Sequence, residues 1–584
     1  MNKKNKSNEQ YITQKTAIEQ YGVTKKMIEQ YFPKPIVKYY GRYRYTRLWR
    51  KEDVEAVVRK EEVQQLIAEI AASRRRDRDL SEARLLLLNY TPEALIEKAK
   101  QLKRVFVLHV GPTNSGKTHD ALEALKSSGN GTYLGPLRLL ALEMFDRINA
   151  AGIPCSLLTG EESITTPEAQ IVASTIELCS YHRHFRVAVI DEAQLITDDE
   201  RGASWLKAIC CVDADEVHIC LAPEALGILE SLISQFGDPY TIVRHKRLVP
   251  LEYKGRCNGF EELQPADAVI CFSRKNVLSV AAHLERYGFR ASVIYGALPP
   301  VARRNEVEKY VSGETNIIVA TDAIGMGISL PIRRIIFAET QKFDGKQQRP
   351  LTSGEVCQIA GRAGRFGMYD LGEVLTMDNT SVIEDGLQSP VMRSRTPCIE
   401  FPREVLKTGY PIDILLKAWQ SLPGNRSFKR EDMSSALSLY GMLGGTIGEE
   451  MKELAFDLIT CPLDADDREL TQYWLSCARC ILSGRRIPNP HFDIDTLLGC
   501  EQQYKSWDIN HQLKMRIGIQ DDNFGQREEI CRRIKELMAE DKNAYIRRCR
   551  QCGRELPPGY TYNLCESCFS DRPFSGRYRP LIPR

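Results

Sequence analysis

Apolar positions along this 584-residue chain follow two rhythms. From about 101 to 385, short β-rich runs recur: Val105–Val110, Val187–Ile190, Val217–Leu221, Val269–Phe272, Ile317–Ala320 and Ile335–Ala338. Helical stretches such as Thr118–Leu125 and Arg138–Ala150 lie between them. Buried strands alternating with helices predict parallel α/β sheets. The zone is too long for one such sheet, so two domains are expected, 101–245 and 246–385, joined near 240–265. Elsewhere the spacing is helical. Val63, Leu66, Ile67 and Ile70, followed by the charge run Arg74–Arg78, predict a helical linker over 61–100. Residues 400–545 read as mostly helical, and 546–584 is a tail rich in Pro, Gly and Cys.

Composition adds bounds. With 43% hydrophobic and 27% charged residues the chain is an ordinary globular sequence, neither disordered nor fibrous. No apolar run approaches the ~18 residues of a membrane span. Most of the 18 cysteines are single and sit in apolar stretches, as Cys179, Cys220 and Cys271 do. Thiols there behave as small buried hydrophobes, and the polar start Met1–Gln10 has no signal-peptide core, so a reducing, cytoplasmic chain is expected. The net charge of +3 is unevenly spread. Residues 1–60 carry 15 Lys/Arg against 6 Asp/Glu, and 541–584 carry 9 against 4, leaving an acidic middle. Basic ends on an acidic body suit a polyanionic partner.

Gly111-Pro112-Thr113-Asn114-Ser115-Gly116-Lys117-Thr118 fits the phosphate-loop pattern directly after a predicted strand and at the opening of a helix. Glycines let backbone N–H groups wrap the phosphates of ATP, and the helix N-terminus adds a favourable dipole. Lys117 would reach the β- and γ-phosphates, and Thr118 would hold Mg²⁺. The strand Val187–Ile190 ends in Asp191-Glu192-Ala193-Gln194. Asp191 is placed as the second Mg²⁺ partner, and Glu192 as the group that orients and deprotonates water. These motifs predict an NTPase. In the second predicted sheet, Thr321-Asp322-Ala-Ile-Gly325-Met-Gly327 follows a strand, and Gln358-Ile-Ala-Gly361-Arg362-Ala-Gly364-Arg365 is read as opening a helix. There Arg362 and Arg365 share one face and would approach a triphosphate as arginine fingers.

Together these stretches resemble a superfamily 2 helicase with two RecA-like domains, within the mitochondrial degradosome RNA helicase family and its bacterial relatives. Gly135-Pro-Leu-Arg-Leu-Leu-Ala-Leu-Glu143, Ala151–Glu162 and Leu458-Ile-Thr-Cys-Pro-Leu463 add to the likeness. The resemblance implies ATP-driven unwinding by a motor that walks on single-stranded RNA. It implies strand contacts from Pro136, Arg138, Thr159 and Gly160 in the first domain, and from Ser273, Arg274 and Thr321 in the second. Asp322 and Gly325 would sense nucleotide across the cleft. Such grips on the backbone do not read sequence. The chain departs from the family at Leu221-Ala222-Pro223, where relatives tend to show Gly-Glu-Pro in the loop that couples hydrolysis to strand movement. Its first 100 residues, with Glu9 and Glu19, do not resemble an acid-poor presequence.

The two ends are additions to that family. Cys549-x2-Cys552-x12-Cys565-x2-Cys568 is a four-thiolate Zn²⁺ pattern, closed and therefore structural. Residues 1–60 predict a small winged or MerR-like helix-turn-helix. Thr13–Tyr21 and Thr24–Phe32 are its helices, Gly22 the turn, Val37–Trp49 a hairpin wing, and a last helix starts at Lys51. Lys25, Lys26, Arg42, Arg44 and Arg47 would meet phosphates, or the module would dock a protein partner. The expected architecture is α/β: two tandem RecA-like P-loop domains, a basic winged-helix-like module at 1–60, a helical region at 400–545 and a zinc tail at 546–584. The expected function is an ATP-dependent helicase on single-stranded or duplex nucleic acid, RNA favoured over DNA. A DNA translocase and a nucleotide-switched DNA-binding regulator are the alternatives.

Overall fold

The computed structural model describes residues 11–40, 45–160, 162–325, 330–345, 347–389, 396–424, 427–444, 447–519, 523–539, 546, 548–556 and 562–570. The chain divides into two compact units: Met1–Tyr90 with Arg403–Leu422, and Thr91–Pro402 with Pro423–Arg584.

In the first unit Thr13 caps the helix Gln14–Tyr21 and Thr24 caps Lys25–Tyr31, each side chain accepting from an amide three residues on. Gly22 turns between them in the left-handed region, φ +71°, where a side chain would also press on Ile67. The strands Tyr11–Thr13, Tyr45–Arg50 and Ile36–Tyr39 form an antiparallel sheet in that order. Trp49 pins the hairpin by donating its Nε1–H to the Pro33 carbonyl at 2.9 Å. Gly41, Arg42, Tyr43 and Arg44 of the wing lie outside the described residues.

Two expected boundaries are corrected here. The module's core does not stop at 60, because Val23, Met27, Ile28, Trp49 and Val54 pack with Val63, and Leu66, Ile67 and Ile70 close over them. The apolar spacing read as a linker is thus half of a core, carried on one continuous helix, Glu61–Leu88, that the helix Glu93–Ala99 follows. The helix Ile412–Ser421, expected within the C-terminal region, packs on Glu61–Leu88 instead. Arg84 Nε donates to Ser421 Oγ at 2.7 Å, and Tyr410 donates to Glu82 at 3.0 Å.

The second unit holds two sheets. The first runs Tyr240–Arg244, Val105–Val110, Ala214–Leu221, Phe185–Ile190, Gly131–Gly135, Ile171–Thr175, Cys155–Leu158 and Ser163–Ile164, all parallel except the last. The second runs Leu251–Arg256, Gly372–Thr376, Arg334–Phe337, Asp267–Ile270, Ile317–Ala320 and Ala291–Ile294, parallel throughout. Their central strands are buried on both faces, which is why they read as continuous apolar runs. Helices Leu497–Arg516 and Phe524–Ala539 complete the second domain's core through Tyr504, Trp507, Ile530 and Ile534. In both sheets the chemistry-bearing loops follow the carboxyl ends of strands, where open α/β sheets bind ligands. No helix among the described residues is long and apolar enough to cross a membrane.

Candidate nucleotide site and strand channel

The phosphate loop leaves the strand Val105–Val110 and enters the helix Lys117–Ser128. Asn114 (φ +62°) and Gly116 (φ +85°) take left-handed backbone, which turns the loop's amides inward. Lys117 is buried, with Nζ 3.3 Å from the Pro112 carbonyl. Ser115 Oγ is buried without a partner among the described residues, a donor left for a phosphate oxygen. Beneath the loop three imidazoles run in a chain, His218 to His109 at 2.9 Å and His109 to His245 at 3.1 Å. Burial first, then His218 and His245, push His109 down to about 4.

Asp191 and Glu192 follow the adjacent strand Phe185–Ile190. Thr118 Oγ1 lies 3.3 Å from Asp191 Oδ1, so two hard oxygen donors from different elements meet where Mg²⁺ is expected. Tyr133 donates to Asp191 Oδ2 at 2.9 Å, and Trp205 Nε1 donates to its carbonyl at 3.0 Å. Burial, and then Glu192, raise Asp191 to about 6 against the pull of Lys117, so the pocket favours a cation. Glu192 sits at φ +51°, a strained backbone that aims its carboxylate into the cleft. Gln194 donates from Nε2 to Glu192 Oε2, while its Oε1 accepts from the Ala222 amide at 3.1 Å.

The segment Gln358–Arg365 faces this site, but not as expected. It closes a helix instead of opening one: Ser353–Ala360 ends there, and Gly361 through Arg365 continue as turns, with Gly364 at φ +72°. The paired arginines are therefore presented by irregular backbone rather than by one helical face. Arg362 Nη2 donates to the Gly325 carbonyl at 2.6 Å, joining the two second-domain motifs. Burial lowers the Arg362 guanidinium, and Glu192, Glu143 and Asp191 oppose that, which sets it electrostatically opposite the acids at the end of the first domain's strand. Asp322 is held by Lys342 at 2.9 Å. Met326 and Gly327 lie outside the described residues.

The strand-contact residues are only partly gathered. Pro136, Arg138 and Gly160 line a cavity of about 850 Å³, with Arg201, Arg303 and Arg516. Thr159, Ser273, Arg274 and Thr321 do not line it. Thr159 shapes a turn by accepting from the Glu162 amide at 3.0 Å, and Ser273 caps the helix Arg274–Leu284. Arg138 is paired with Asp508 at 3.1 Å and Arg274 with Glu501, both acids on the helix Leu497–Arg516. Those two acids, Tyr133, Trp205 and the linker residue Arg247 were missed from the sequence. They belong to no local motif and act through distances of tens to hundreds of residues along the chain.

At the C-terminus Cys549, Cys552, Cys565 and Cys568 bring their sulfurs within 4.8 Å of one another. A tetrahedral Zn²⁺ with ~2.3 Å bonds sets its sulfurs about 3.8 Å apart, so the four thiols fit. The Cys552 amide first, then that of Cys565, draw the Cys549 thiol down to about 6, toward the thiolate a metal needs.

Comparison with known families decides the identity of this arrangement. Residues 92–245 match the DEXQ-box helicase domain of Suv3, and 256–367 match the helicase conserved C-terminal domain. Residues 92–367 are thus similar to a Suv3-type helicase core. The chain is 41% identical over 318 residues to the mouse "ATP-dependent RNA helicase SUPV3L1, mitochondrial", covering 52% of this chain and 40% of that relative. It is 38% identical over 332 residues to "ATP-dependent RNA helicase SUV3, mitochondrial" of Saccharomyces cerevisiae, covering 55% and 44%. With "DExH-box ATP-dependent RNA helicase DExH18, mitochondrial" of Arabidopsis thaliana it shares 40% over 300 residues, covering 50% and 39%. The chain thus spans well under half the length of these curated relatives. Their names overturn the expected cytoplasmic location. Unpaired cysteines mark a reducing compartment and do not tell one such compartment from another.

Proposed function

We propose that this Suv3-type core is an ATP-dependent helicase that grips one strand of RNA and moves along it. The observation that carries the reading is the meeting of Lys117, Thr118, Asp191 and Glu192 from one sheet with Gly361 and Arg362 from the other. Nucleotide bound between the sheets would tie strand grip to hydrolysis. When bound, Mg²⁺ neutralises the phosphates. Thr118 and Asp191 would hold it, Glu192 would take a proton from the attacking water, and Arg362 with Arg365 would stabilise charge on the transferred phosphoryl group. Asp322 and Gly325 report the nucleotide to the second domain, with Gln358 beside Gly325. Pro136, Arg138, Thr159 and Gly160, with Ser273, Arg274 and Thr321, hold the strand backbone. RNA is favoured as substrate because the relatives are named RNA helicases. Steady-state ATPase titrated with single-stranded RNA and DNA of matched length tests this. RNA should stimulate at lower concentration, and equal or stronger stimulation by DNA would transfer the motor to the DNA reading.

The ends act as grips. Zn²⁺ on Cys549, Cys552, Cys565 and Cys568 holds the tail, which docks through Arg286 and Glu555 at 2.6 Å. Lys25, Lys26 and Arg47 are exposed on the N-terminal module and suit phosphates. In Lys25→Ala/Lys26→Ala the salt slope of nucleic-acid binding should fall by about 2. An unchanged slope makes the module a protein-docking domain.

A further inference from the structure

Between the two sheets of the second unit the chain crosses through residues 245–250, and Arg247 stands in the middle of that crossing. Its Nη1 donates to the Thr113 carbonyl at 3.2 Å and to the Gly361 carbonyl at 2.8 Å, and its Nη2 donates to the Ala363 carbonyl. Thr113 belongs to the phosphate loop, and Gly361 and Ala363 flank Arg362. One guanidinium is therefore bonded to both halves of the nucleotide site. A second bond runs beside it, from Asn114 Nδ2 to the Gly364 carbonyl at 3.3 Å.

The chemistry of this contact is specific. Burial alone pulls the Arg247 guanidinium down to about 10, with no acid opposing it, and its Nε has no partner among the described residues. A desolvated cation without a counter-charge is costly, and a plain linker would be served as well by an apolar side chain. What arginine adds is a rigid planar fork whose donors reach several carbonyls at fixed separation, a geometry that lysine lacks. Both Nη nitrogens of Arg247 are engaged by main-chain carbonyls of the two halves of the site. The side chain holds the loop at a set distance from the turn that carries the arginines.

We propose that Arg247 is a positioning residue, a clasp in the interdomain crossing that sets the approach of Arg362 and Arg365 to the triphosphate. The proposal rests on the reading of those arginines given above. The test is steady-state turnover at saturating single-stranded RNA, together with binding of a fluorescent ATP analogue and thermal unfolding, for Arg247→Ala, Arg247→Lys, Arg365→Ala and the double variant Arg247→Ala/Arg365→Ala. Arg247→Ala should lose about 10- to 100-fold in kcat, as for a misplacement of about 1 Å, with nucleotide affinity within about threefold. Arg247→Lys keeps the charge without the fork and should still lose about tenfold. If the alanine variant melts early, this lysine variant carries the test alone. The double variant should lose less than the product of the two single losses, because with Arg365 gone the clasp has only Arg362 left to place. Turnover within threefold of wild type in Arg247→Ala, full activity in Arg247→Lys, or losses that multiply in the double variant would each overturn the clasp. Wild-type turnover in Arg365→Ala would overturn the parent reading instead, whatever Arg247 does.

Discussion

At Gly361 the second domain lies directly against the phosphate loop of the first. A Cβ built there would lie 2.8 Å from Thr113 Cβ and 3.2 Å from Thr113 Oγ1. Carbon atoms rest at roughly 3.5–4.0 Å, so Gly361→Ala must move the arginine-bearing turn away from the phosphate loop by about 1 Å. Thr113 offers no relief by rotation, since the clash is with its Cβ. A displacement of that size at a reacting centre costs on the order of 10²-fold in rate, or about 2.7 kcal/mol of transition-state stabilisation. The loop's amides and Lys117 are untouched, so the loss should fall on kcat of the strand-stimulated ATPase, with affinity for a fluorescent ATP analogue kept within a few-fold. A second contact, 2.8 Å to the Cys357 carbonyl, lies within the same domain. Thr113→Gly added to Gly361→Ala separates the two: relief across the cleft restores part of the rate, whereas no recovery assigns the loss to the helix end. Turnover of Gly361→Ala within threefold of wild type would refute the closed approach altogether.

Three further outcomes can be measured directly. Lys117→Ala should abolish hydrolysis and weaken nucleotide binding, while Glu192→Gln should slow turnover with binding retained; equal loss of affinity in both would contradict their separate roles. Glu431, raised to about 7 by burial, favours its neutral form in the fold. The stability it contributes is full below about pH 4.5 and lost as pH rises through 7, so Glu431→Gln should add at most about 3 kcal/mol of stability at pH 8, read as a higher unfolding midpoint, and leave the midpoint unchanged at pH 4. A strong chelator should release one Zn²⁺ per chain and expose the tail around Cys549–Cys568 to protease, with the core's ATPase recovered once the chelator is removed and Mg²⁺ resupplied; an unchanged digestion pattern would leave the four thiols without a metal role.

Legibility followed the range of the interaction. Elements set by local patterning were read well, among them the caps Thr13 and Thr24, the turn at Gly22, the helix Arg138–Ala150 and the central strands of both sheets. The phosphate loop and Asp191-Glu192 were placed correctly because each is a run of consecutive residues at the end of a strand. Partners that arrive through the tertiary fold were not. Tyr133 reaches Asp191 from a neighbouring strand, and Asp508 reaches Arg138 across 370 residues. The turn at Gly361–Arg365 was misread as a helix start because arginines three apart satisfy helical spacing, although the two glycines beside them are stop signals. The apolar spacing at Val63–Ile70 was visible, but nothing local says whether such a stripe covers a neighbouring core or another helix.

The loop Leu221-Ala222-Pro223 shows why a departure from a family pattern need not remove a function. In this chain the contact at that loop is made by main chain, since Gln194 accepts from the Ala222 amide while donating to Glu192. The path from the hydrolytic carboxylate to the loop therefore runs through the Gln194 side chain and one backbone N–H. Any residue but proline supplies that N–H at 222, so the missing Glu side chain does not break the link. The same holds across the cleft, where Arg247 and Asn114 engage carbonyls of Thr113, Gly361, Ala363 and Gly364. Side-chain identity is exacting at the partner that bonds through its side chain and permissive at the partner that bonds through its main chain. Coupling in this protein should accordingly fail on substitution of Gln194 or Arg247, and tolerate most changes at Ala222 that preserve backbone conformation.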